Sequence, residues 1–486
     1  MDKVLNRRTA LWVVGALTVW RLYLSATLQL HPDEAYYWLW ARHLEWAYFD
    51  HAPMVAYFIR LGTVFSDAEL WVRLSGTAVS LTVSAVVWRL ALQLFANETI
   101  AAGSVILFNT FPLTVLGLLI MTPDVPLFMF SSLGVLLFWQ AASGNEPWRW
   151  YVLGLVFGLA LLSKYTAVLM APCFLLYLVL TDERRWLKTV HPYAAFALGL
   201  ACFVPVLWWN HNHDWVSFTF QARNGLGSQE LAFGKVAEFL SGQAFFSSPL
   251  IWCAGICAAF MAGVRKDKRM LFLVTTSVPI ILFFALSSLR KTAYPNWASF
   301  AYVSFSIWAT YFLLVGGSRV RRAVWTVSLL ISLGLSLAIT SHARFGILPL
   351  ERVSPGAAEA DASNQVHGWK EMVAEVLARY PDRTVVVTPS HQLSALIMYY
   401  AQGRLTAQTS TITRPSQFNY WDWSLRLPTD RALYIWTQAD SIWDDDKRFA
   451  SSEQCQPFEV FRNDRWLRTF YIYRGEPGLP VPFPPR

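Results

Sequence analysis

Hydrophobic positions dominate the first part of the chain, where long apolar stretches recur from residue 10 to residue 341 between shorter polar segments. An α-helix needs roughly 17 to 25 mainly apolar residues to cross a bilayer, and most of these stretches reach that length. The pattern predicts an all-α polytopic membrane domain with about 11 transmembrane helices. The predicted spans cover residues 10–30, 70–95, 100–121, 125–142, 151–163, 165–180, 191–209, 249–264, 270–287, 297–315 and 323–341.

Two of the segments between predicted spans are long, at residues 31–69 and 210–248. Both mix aromatic and charged side chains at helical spacing, as in Glu34, Trp38 and Glu45. Trp and Tyr favour the level of the lipid headgroups. We therefore expect helices in these two segments that lie in the membrane interface.

The pattern changes after residue 342, where no further stretch of spanning length occurs. Residues 383–390 have the composition of a buried strand, residues 391–402 that of a helix, and residues 431–438 and 466–475 that of further strands. The sequence predicts a membrane domain over residues 1–341 and a small α/β domain over residues 342–486.

Composition supports a membrane protein, because 55% of the residues are hydrophobic and only 15% are charged, whereas soluble domains carry about 25% charge. The net charge of +8 does not indicate nucleic acid, because Lys and Arg lie mostly in short segments between spans. Their distribution places the N-terminus inside. With an odd number of spans, the C-terminal domain is then periplasmic or otherwise extracytoplasmic, and the expected location is a bacterial inner (plasma) membrane.

The candidate chemistry begins directly after the first span, in the stretch "LHPDEAYYWLWARHLEWAYFDHAPM" over residues 30–54. Asp33 and Glu34 precede an aromatic run that includes Tyr36 and Tyr37, which favours a shaped pocket. A carboxylate in such a pocket can act as a general base on a hydroxyl or amine. Solvation of both acids at the start of a loop is the alternative.

Two further acids follow, and each has a structural alternative. Asp50 and His51 are suited to binding a cation, orienting an acceptor or protonating a leaving group, while a loop-capping aspartate would look the same. Asp124 lies between two prolines at the predicted turn before the fourth span, where it either faces a site or caps the helix.

Three basic residues lie on the predicted outer side, against the general trend. Lys164 either snorkels to the interface or contacts a phosphate. Arg290 and Lys291 together favour an anionic partner. No spacing of His or Cys is a strong metal motif, so we predict no metal ligands and leave a requirement for a divalent cation open.

The motifs "HPDEAYYW", "YFDHAPM", "TPD", "SKYT" and "YPNW" occur in this order, and the chain thereby resembles the GT-C membrane glycosyltransferases over roughly residues 1–345. The similarity is to the bacterial branch related to protein O-mannosyltransferases and the aminoarabinose lipid A transferase. It implies inverting transfer of a sugar from a polyprenyl-phosphate donor to an envelope acceptor on the outer face. Lipid A or lipopolysaccharide, another glycan and a protein all qualify as that acceptor.

The resemblance also implies roles for individual residues. Asp33 corresponds to the catalytic base, Glu34 to its acidic neighbour and Asp50 to a second acid of the first loop. His51 and Tyr36 stand where the aminoarabinose enzyme has Lys and Arg, so contacts to the donor phosphate must come partly from elsewhere. Lys164 corresponds to a family lysine.

Two other functions remain compatible with the same residues. A transporter or flippase of lipid-linked saccharide would favour inverted repeats, and no internal repeat is evident in the sequence. A non-catalytic protein of envelope assembly would use the C-terminal domain as its binding module. In each case membrane lipids and a lipid-linked saccharide are expected partners.

Overall fold

Helices make up most of the chain in the computed structural model, which describes residues 4–226, 231–265, 267–316, 318–350, 360–409, 414–421, 423, 432–437 and 449–477. The α-helices are α1 Arg7–Thr27, α2 Pro32–Arg42, α3 Met54–Gly62, α4 Glu69–Phe95, α5 Glu98–Thr110, α6 Pro112–Gly117, α7 Asp124–Ser143, α8 Trp148–Leu161, α9 Met170–Leu180, α10 His191–His211, α11 Val216–Leu226, α12 Phe233–Ser247, α13 Pro249–Arg265, α14 Lys268–Thr275, α15 Val278–Ser287, α16 Tyr302–Leu314, α17 Arg319–Phe345, α18 Trp369–Arg379 and α19 His391–Ala401. Short 3-10 helices cover Tyr165–Leu169, Asp182–Lys188, Pro295–Ala301, Ala362–Val366 and Gln417–Asn419.

Within the described residues, seven helical segments are long and apolar enough to cross a membrane, or nine if two sharply bent pairs each count as one span. Several predicted spans are broken. The stretch at 100–121 divides into α5 and α6, because Phe111 adopts an extended backbone before Pro112 and proline disfavours the helical conformation in the residue that precedes it. The multi-pass architecture agrees with the prediction. The number of about 11 membrane-spanning helices stays a prediction.

Small residues allow α8 and α10 to approach each other closely. A Cβ atom added at Gly158 would lie 2.5 Å from the Cβ atom of Cys202, and one added at Gly199 would lie 2.6 Å from the ring of Phe157. Close helix packing through small residues is a general means of association in membranes, where no hydrophobic effect drives it. This pair of helices fixes the C-terminal end of α8, and Lys164 follows shortly after it.

The two long segments between spans contain the helices that their patterns predicted. Residues 31–69 hold α2 and α3, and residues 210–248 hold α11 and α12. Helix α2 starts sharply because His31 and Glu34 form a capping box around Pro32. Its first turn therefore contains two consecutive carboxylates, Asp33 and Glu34.

Within the described residues, the C-terminal part contains six strands, β1 Val385–Thr388, β2 Thr406–Thr409, β3 Leu433–Trp436, β4 Phe449–Gln454, β5 Phe458–Arg462 and β6 Arg465–Pro477. They form a mixed sheet in the order β2-β1-β3-β6-β4, with β5 paired to β6. Strands β1 to β3 are parallel, and β6 runs antiparallel to β3, β4 and β5. All four residues of β1 are buried, as expected for a strand flanked by parallel neighbours.

Helix α19 joins this sheet to the membrane part by packing against α2. The Tyr400 hydroxyl accepts a hydrogen bond from the Leu30 amide at 2.8 Å, and the Tyr399 hydroxyl donates to the Asp67 carbonyl at 2.5 Å. The Gln29 side-chain oxygen accepts from the amides of Trp369 and Lys370. These bonds anchor the last turn of α19 and the start of α18 beside the residues that precede α2 and α4.

Candidate active site

Asp33 and Glu34 are neighbours in sequence but point into different surroundings. The Asp33 side chain is 40% exposed. Its Oδ1 lies 3.4 Å from the Gln392 side-chain nitrogen, at the start of α19. Asp33 is therefore a carboxylate that a substrate can reach, placed at the positive end of a helix dipole.

Glu34 is fully buried and bound on both oxygens. It forms a salt bridge of 2.6 Å with Arg73 of α4 and accepts hydrogen bonds from the amides of Met121 at 2.8 Å and His31 at 2.9 Å. These contacts tie α2 to α4 and to the turn before α7. Both oxygens of Glu34 are used in holding helices together, and its catalytic role stays a prediction.

Asp50 lies at the end of the loop that follows α2 and is nearly fully buried. Its Oδ2 accepts from the Tyr36 hydroxyl at 2.8 Å, and its Oδ1 accepts from Arg414 at 2.8 Å. Burial raises the pKa of the Asp50 carboxyl, and the charge of Arg414 partly opposes that shift. Asp50 is thus an anchored carboxylate, in contrast to the accessible Asp33.

Arg414 was not predicted, and it comes from the C-terminal part of the chain. One guanidinium nitrogen binds Asp50, and the other donates to His391 Nε2 at 2.9 Å. The guanidinium lies 5.1 Å from the ring centroid of Phe220, and the side chain remains 42% exposed. A fixed cation with open surface is therefore present next to the two acids.

Tyr36 and Tyr37 are buried tyrosines of α2 that lie near the acids. The Tyr36 hydroxyl, besides donating to Asp50, accepts from the Gln417 amide at 2.7 Å. Burial raises the pKa of the Tyr37 hydroxyl well above its ordinary value, and the charges of Asp33, Asp50 and Asp124 act in the same direction. Tyr37 is hence protonated at neutral pH and lies close to all three carboxylates.

Asp124 and Lys164 form a second charged pair. Lys164 Nζ donates to Asp124 Oδ1 at 2.7 Å, and the Asn296 side-chain nitrogen donates to Oδ2 at 2.9 Å. No side chain caps α7, so Asp124 orients Lys164 and Asn296 and does not act as a helix cap. The Lys164 side chain is only 11% exposed, whereas a lysine that snorkels to the interface keeps its ammonium group in water.

His51 lies within range of the charges of Lys164 and Arg414. The Gln221 side-chain amide nitrogen donates to the Asp50 carbonyl and lies 3.3 Å from His51 Nδ1, so Nδ1 accepts and Nε2 carries the proton. Burial lowers the pKa of His51 to about 3, and the charges of Lys164 and Arg414 add to the shift. His51 is therefore a neutral donor at neutral pH.

Arg290 and Lys291 lie in the segment between α15 and the 3-10 helix that carries Asn296. The amides of both residues donate to the Ser287 carbonyl. Arg290 is exposed and Lys291 is half-buried. Of the predicted "YPNW" region, Asn296 is the residue that the structure brings to Asp124.

Sequence reasoning missed four residues of the C-terminal part: His391, Gln392, Arg414 and Gln417. It also missed Arg73 of α4 and Gln221 of α11. The segment "RPSQFNYW" at 414–421 carries an arginine next to an aromatic cluster, which is the same mixture that identified the first loop. Arg414 and Asp50 are 364 positions apart, so no local sequence signal indicates that they form a pair. No group of three or more His, Cys, Asp or Glu side chains suited to a metal occurs among the described residues.

Two sequence comparisons show which known proteins this chain resembles. A family model described as dolichyl-phosphate-mannose-protein mannosyltransferase matches residues 50–209. The chain is 28% identical over 352 residues to lipid A galacturonosyltransferase RgtD from Rhizobium johnstonii, which covers 69% of this chain and 72% of that protein.

Two solved structures share the fold. The crystal structure of ArnT from Cupriavidus metallidurans bound to undecaprenyl phosphate matches with a TM-score of 0.66 at 14% identity, over 95% of this chain and 97% of that one. The oligosaccharyltransferase of Archaeoglobus fulgidus matches with a TM-score of 0.50 at 12% identity, over 83% of this chain and 64% of that one. These likenesses confirm the fold that the sequence predicted.

Proposed function

We propose that this chain, a membrane glycosyltransferase of the GT-C fold, transfers a sugar from a polyprenyl-phosphate donor to lipid A. The relative that is 28% identical is named as a lipid A galacturonosyltransferase, which supports lipid A as the acceptor class. The ArnT structure contains undecaprenyl phosphate, which supports a polyprenyl-phosphate donor. A uronic acid is the sugar that the relative's name favours.

The observation that carries the proposal is that the accessible Asp33 lies near Tyr37 together with Asp50 and Asp124. These two acids hold the cations Arg414 and Lys164. In the proposed reaction Asp33 accepts the proton of an acceptor hydroxyl. The hydroxyl oxygen then forms the new bond to the anomeric carbon, while the bond from that carbon to the phosphate oxygen breaks on the opposite face. The configuration at the anomeric carbon is inverted, and polyprenyl phosphate leaves.

Fixed cations stabilise the charge that develops on the leaving phosphate. Lys164 and Arg414 are suited to this role, because Asp124 and Asp50 hold them in place before substrate binds. The neutral His51 adds an N–H donor from Nε2. Arg290 and Lys291 remain proposed contacts to the donor phosphate.

Asp50 and Glu34 take structural roles in this proposal. Asp50 positions Arg414 and Tyr36, and both of its oxygens are already occupied. Glu34 holds α2 against Arg73 and thereby fixes the direction in which Asp33 points. We accordingly revise the predicted catalytic assignment to Asp33 as the base, with Glu34 and Asp50 as positioning residues.

We further propose the bacterial inner membrane as the location, with the N-terminus inside and the site on the outer face. The polyprenyl tail then stays in lipid beside the helices while the sugar reaches Asp33. The basic residues between α13 and α14 would mark an inner loop, although Lys266 in this loop lies outside the described residues. A periplasmic reporter fused after residue 345 tests this orientation.

The test of the function uses the purified full-length protein in lipid nanodiscs, with polyprenyl-phosphate galacturonic acid and lipid A. We expect lipid A to gain the mass of one sugar, and NMR of the product to show an inverted anomeric configuration. Asp33→Asn is the negative control. Sugar movement across the bilayer of proteoliposomes without product would instead support a flippase and contradict the proposal.

A further inference from the structure

A cavity of about 410 Å³ lies beside Phe49, the residue that precedes Asp50. Its walls come from three separate parts of the chain: the loop before Asp50, the start of α11 with the turn that precedes it, and the segment at 414–421. The volume falls within the range of ligand pockets, roughly 300 to 1,000 Å³. None of the roles discussed above uses this cavity.

One layer of side chains separates the cavity from the reacting groups. Phe220 lines the cavity, and the centroid of its ring lies 4.8 Å from that of Phe49. The guanidinium of Arg414 stacks over the same Phe220 ring. Gln221, the next residue of α11, donates to the Asp50 carbonyl. A molecule in the cavity would therefore touch the elements that hold Asp50 and Arg414.

The chemistry of the walls matches a saccharide and not a lipid tail. The rings of Phe49, Phe220 and Tyr420 offer flat apolar faces for the C–H groups of a sugar ring. Between them lie the polar side chains of Asn212, His213, Asp214, Thr219 and Arg223, which supply both donors and acceptors. A polyprenyl chain would leave these polar groups without partners, which costs free energy.

His213 is prepared to accept a hydrogen bond. Its ring stacks on Trp209 at 4.0 Å, and its Nδ1 lies 2.7 Å from the Trp209 carbonyl oxygen. A carbonyl can only accept, so Nδ1 carries the proton of the neutral ring and Nε2 is an acceptor. A sugar hydroxyl is a matching donor.

The backbone that presents these groups is strained. Asp214 and Trp215 are consecutive residues with φ of 52° and 57°, in the left-handed region that bulky side chains rarely adopt. Strain of this kind occurs mainly at functional sites, where the surrounding structure maintains it. The turn directs Asp214 into the cavity wall, opposite the C-terminal segment.

We propose that this cavity binds the saccharide headgroup of the acceptor, with Arg223 holding an anionic substituent of that headgroup. The inference rests on the proposed function, and it assigns the acceptor to the cavity and the donor to the side of Lys164. Arg223 is exposed at the end of the cavity lining, where a phosphate group can reach it. Binding would also complete the surroundings of Arg414, because Phe220 both lines the cavity and contacts the Arg414 guanidinium.

The direct test measures binding of the deacylated, bisphosphorylated lipid A disaccharide to the full-length protein in nanodiscs by microscale thermophoresis. Thr219→Trp fills the cavity, and Ala222→Trp adds the same side chain at an exposed position of the same helix. We expect Thr219→Trp to weaken binding at least tenfold and Ala222→Trp to leave it unchanged. Absence of binding to the wild type, or equal binding by Thr219→Trp and the wild type, would overturn the proposal.

Steady-state kinetics then separate acceptor from donor. Arg223→Gln removes one charge-assisted contact, for which we expect a rise of roughly tenfold or more in KM for lipid A, with KM for the donor unchanged. A rise confined to the donor KM would overturn the assignment. Saccharide binding that is lost in Thr219→Trp, in a protein without transfer activity, would refute the proposed function and leave the site standing.

Discussion

Replacing Asp33 by Asn is the sharpest test of the proposed mechanism. The substitution keeps the shape of the side chain and its hydrogen bonding, but the amide cannot accept the acceptor's proton. Asp33 is 40% exposed, and its hydrogen bond to Gln392 is long, at 3.4 Å. The folded protein should therefore tolerate the change, with a melting temperature close to that of the wild type.

The expected loss of rate follows from general-base catalysis, which contributes about 10² to 10⁴. At about 1.36 kcal/mol for each factor of ten, this corresponds to about 2.7 to 5.4 kcal/mol of lost transition-state stabilisation. The loss should appear in kcat, with donor KM within roughly threefold, because the donor phosphate is assigned to Lys164 and Arg414.

The assay measures transfer to lipid A by mass spectrometry in nanodiscs under single-turnover conditions. Asp50→Asn is the matched comparison, since it makes the same chemical change in a carboxylate whose two oxygens are already bound. We expect Asp50→Asn to lower the melting temperature and to raise donor KM, because Arg414 loses its anchor. Near-normal turnover in Asp33→Asn together with a stable but inactive Asp50→Asn would refute the assignment of the base.

Other predictions address the structural and electrostatic roles. Glu34→Gln should destabilise the protein by about 3 to 5 kcal/mol, because Arg73 would remain buried without its partner; an unchanged melting temperature in detergent would contradict this. Lys164→Gln should reduce kcat/KM for the donor roughly tenfold to hundredfold, as measured by initial rates, and normal donor dependence would count against the phosphate contact. His51 and His391 have pKa values lowered by burial to about 3, so the unfolded chain binds more protons below about pH 6.5. The free energy of unfolding should then have its full value above that pH and fall as the pH decreases towards 3, by up to about 1.4 kcal/mol per pH unit for each histidine. Replacing both histidines by Gln should flatten the dependence of the melting temperature on pH.

The membrane helices and the first loop were predictable because their signals are local. A run of apolar residues of spanning length, or two carboxylates placed among Tyr and Trp, is visible within one window of sequence. The breaks at Phe111–Pro112 and around Ser277–Pro279 were missed as boundaries, although each contains proline. The hydrophobic run continues through them, and the pattern of hydropathy alone does not register a backbone turn.

The separation of Asp33 from Glu34 was not predictable from sequence. Both lie in the first turn of one helix, and their spacing of one residue directs them about 100° apart around its axis. Which of the two meets solvent depends on where α4 lies, since Arg73 captures Glu34 there. This contact joins residues that are 39 positions apart, and only the folded structure reveals it.

The contribution of the C-terminal part changes how the site should be understood. Glu45 shows this most clearly, because its two oxygens accept from Trp209, from Trp421 and from the Gln417 side chain. One carboxylate thereby joins the first loop, the end of α10 and the segment at 414–421. The same segment supplies Arg414 to Asp50 and a wall of the proposed acceptor cavity.

A movement of the C-terminal part away from α2 would therefore remove a cation, release Asp50 and open the cavity at the same time. Occupation of the cavity and correct placing of Arg414 should stabilise each other for this reason, and binding energy from the acceptor headgroup can then be used to fix the cation that faces the donor phosphate.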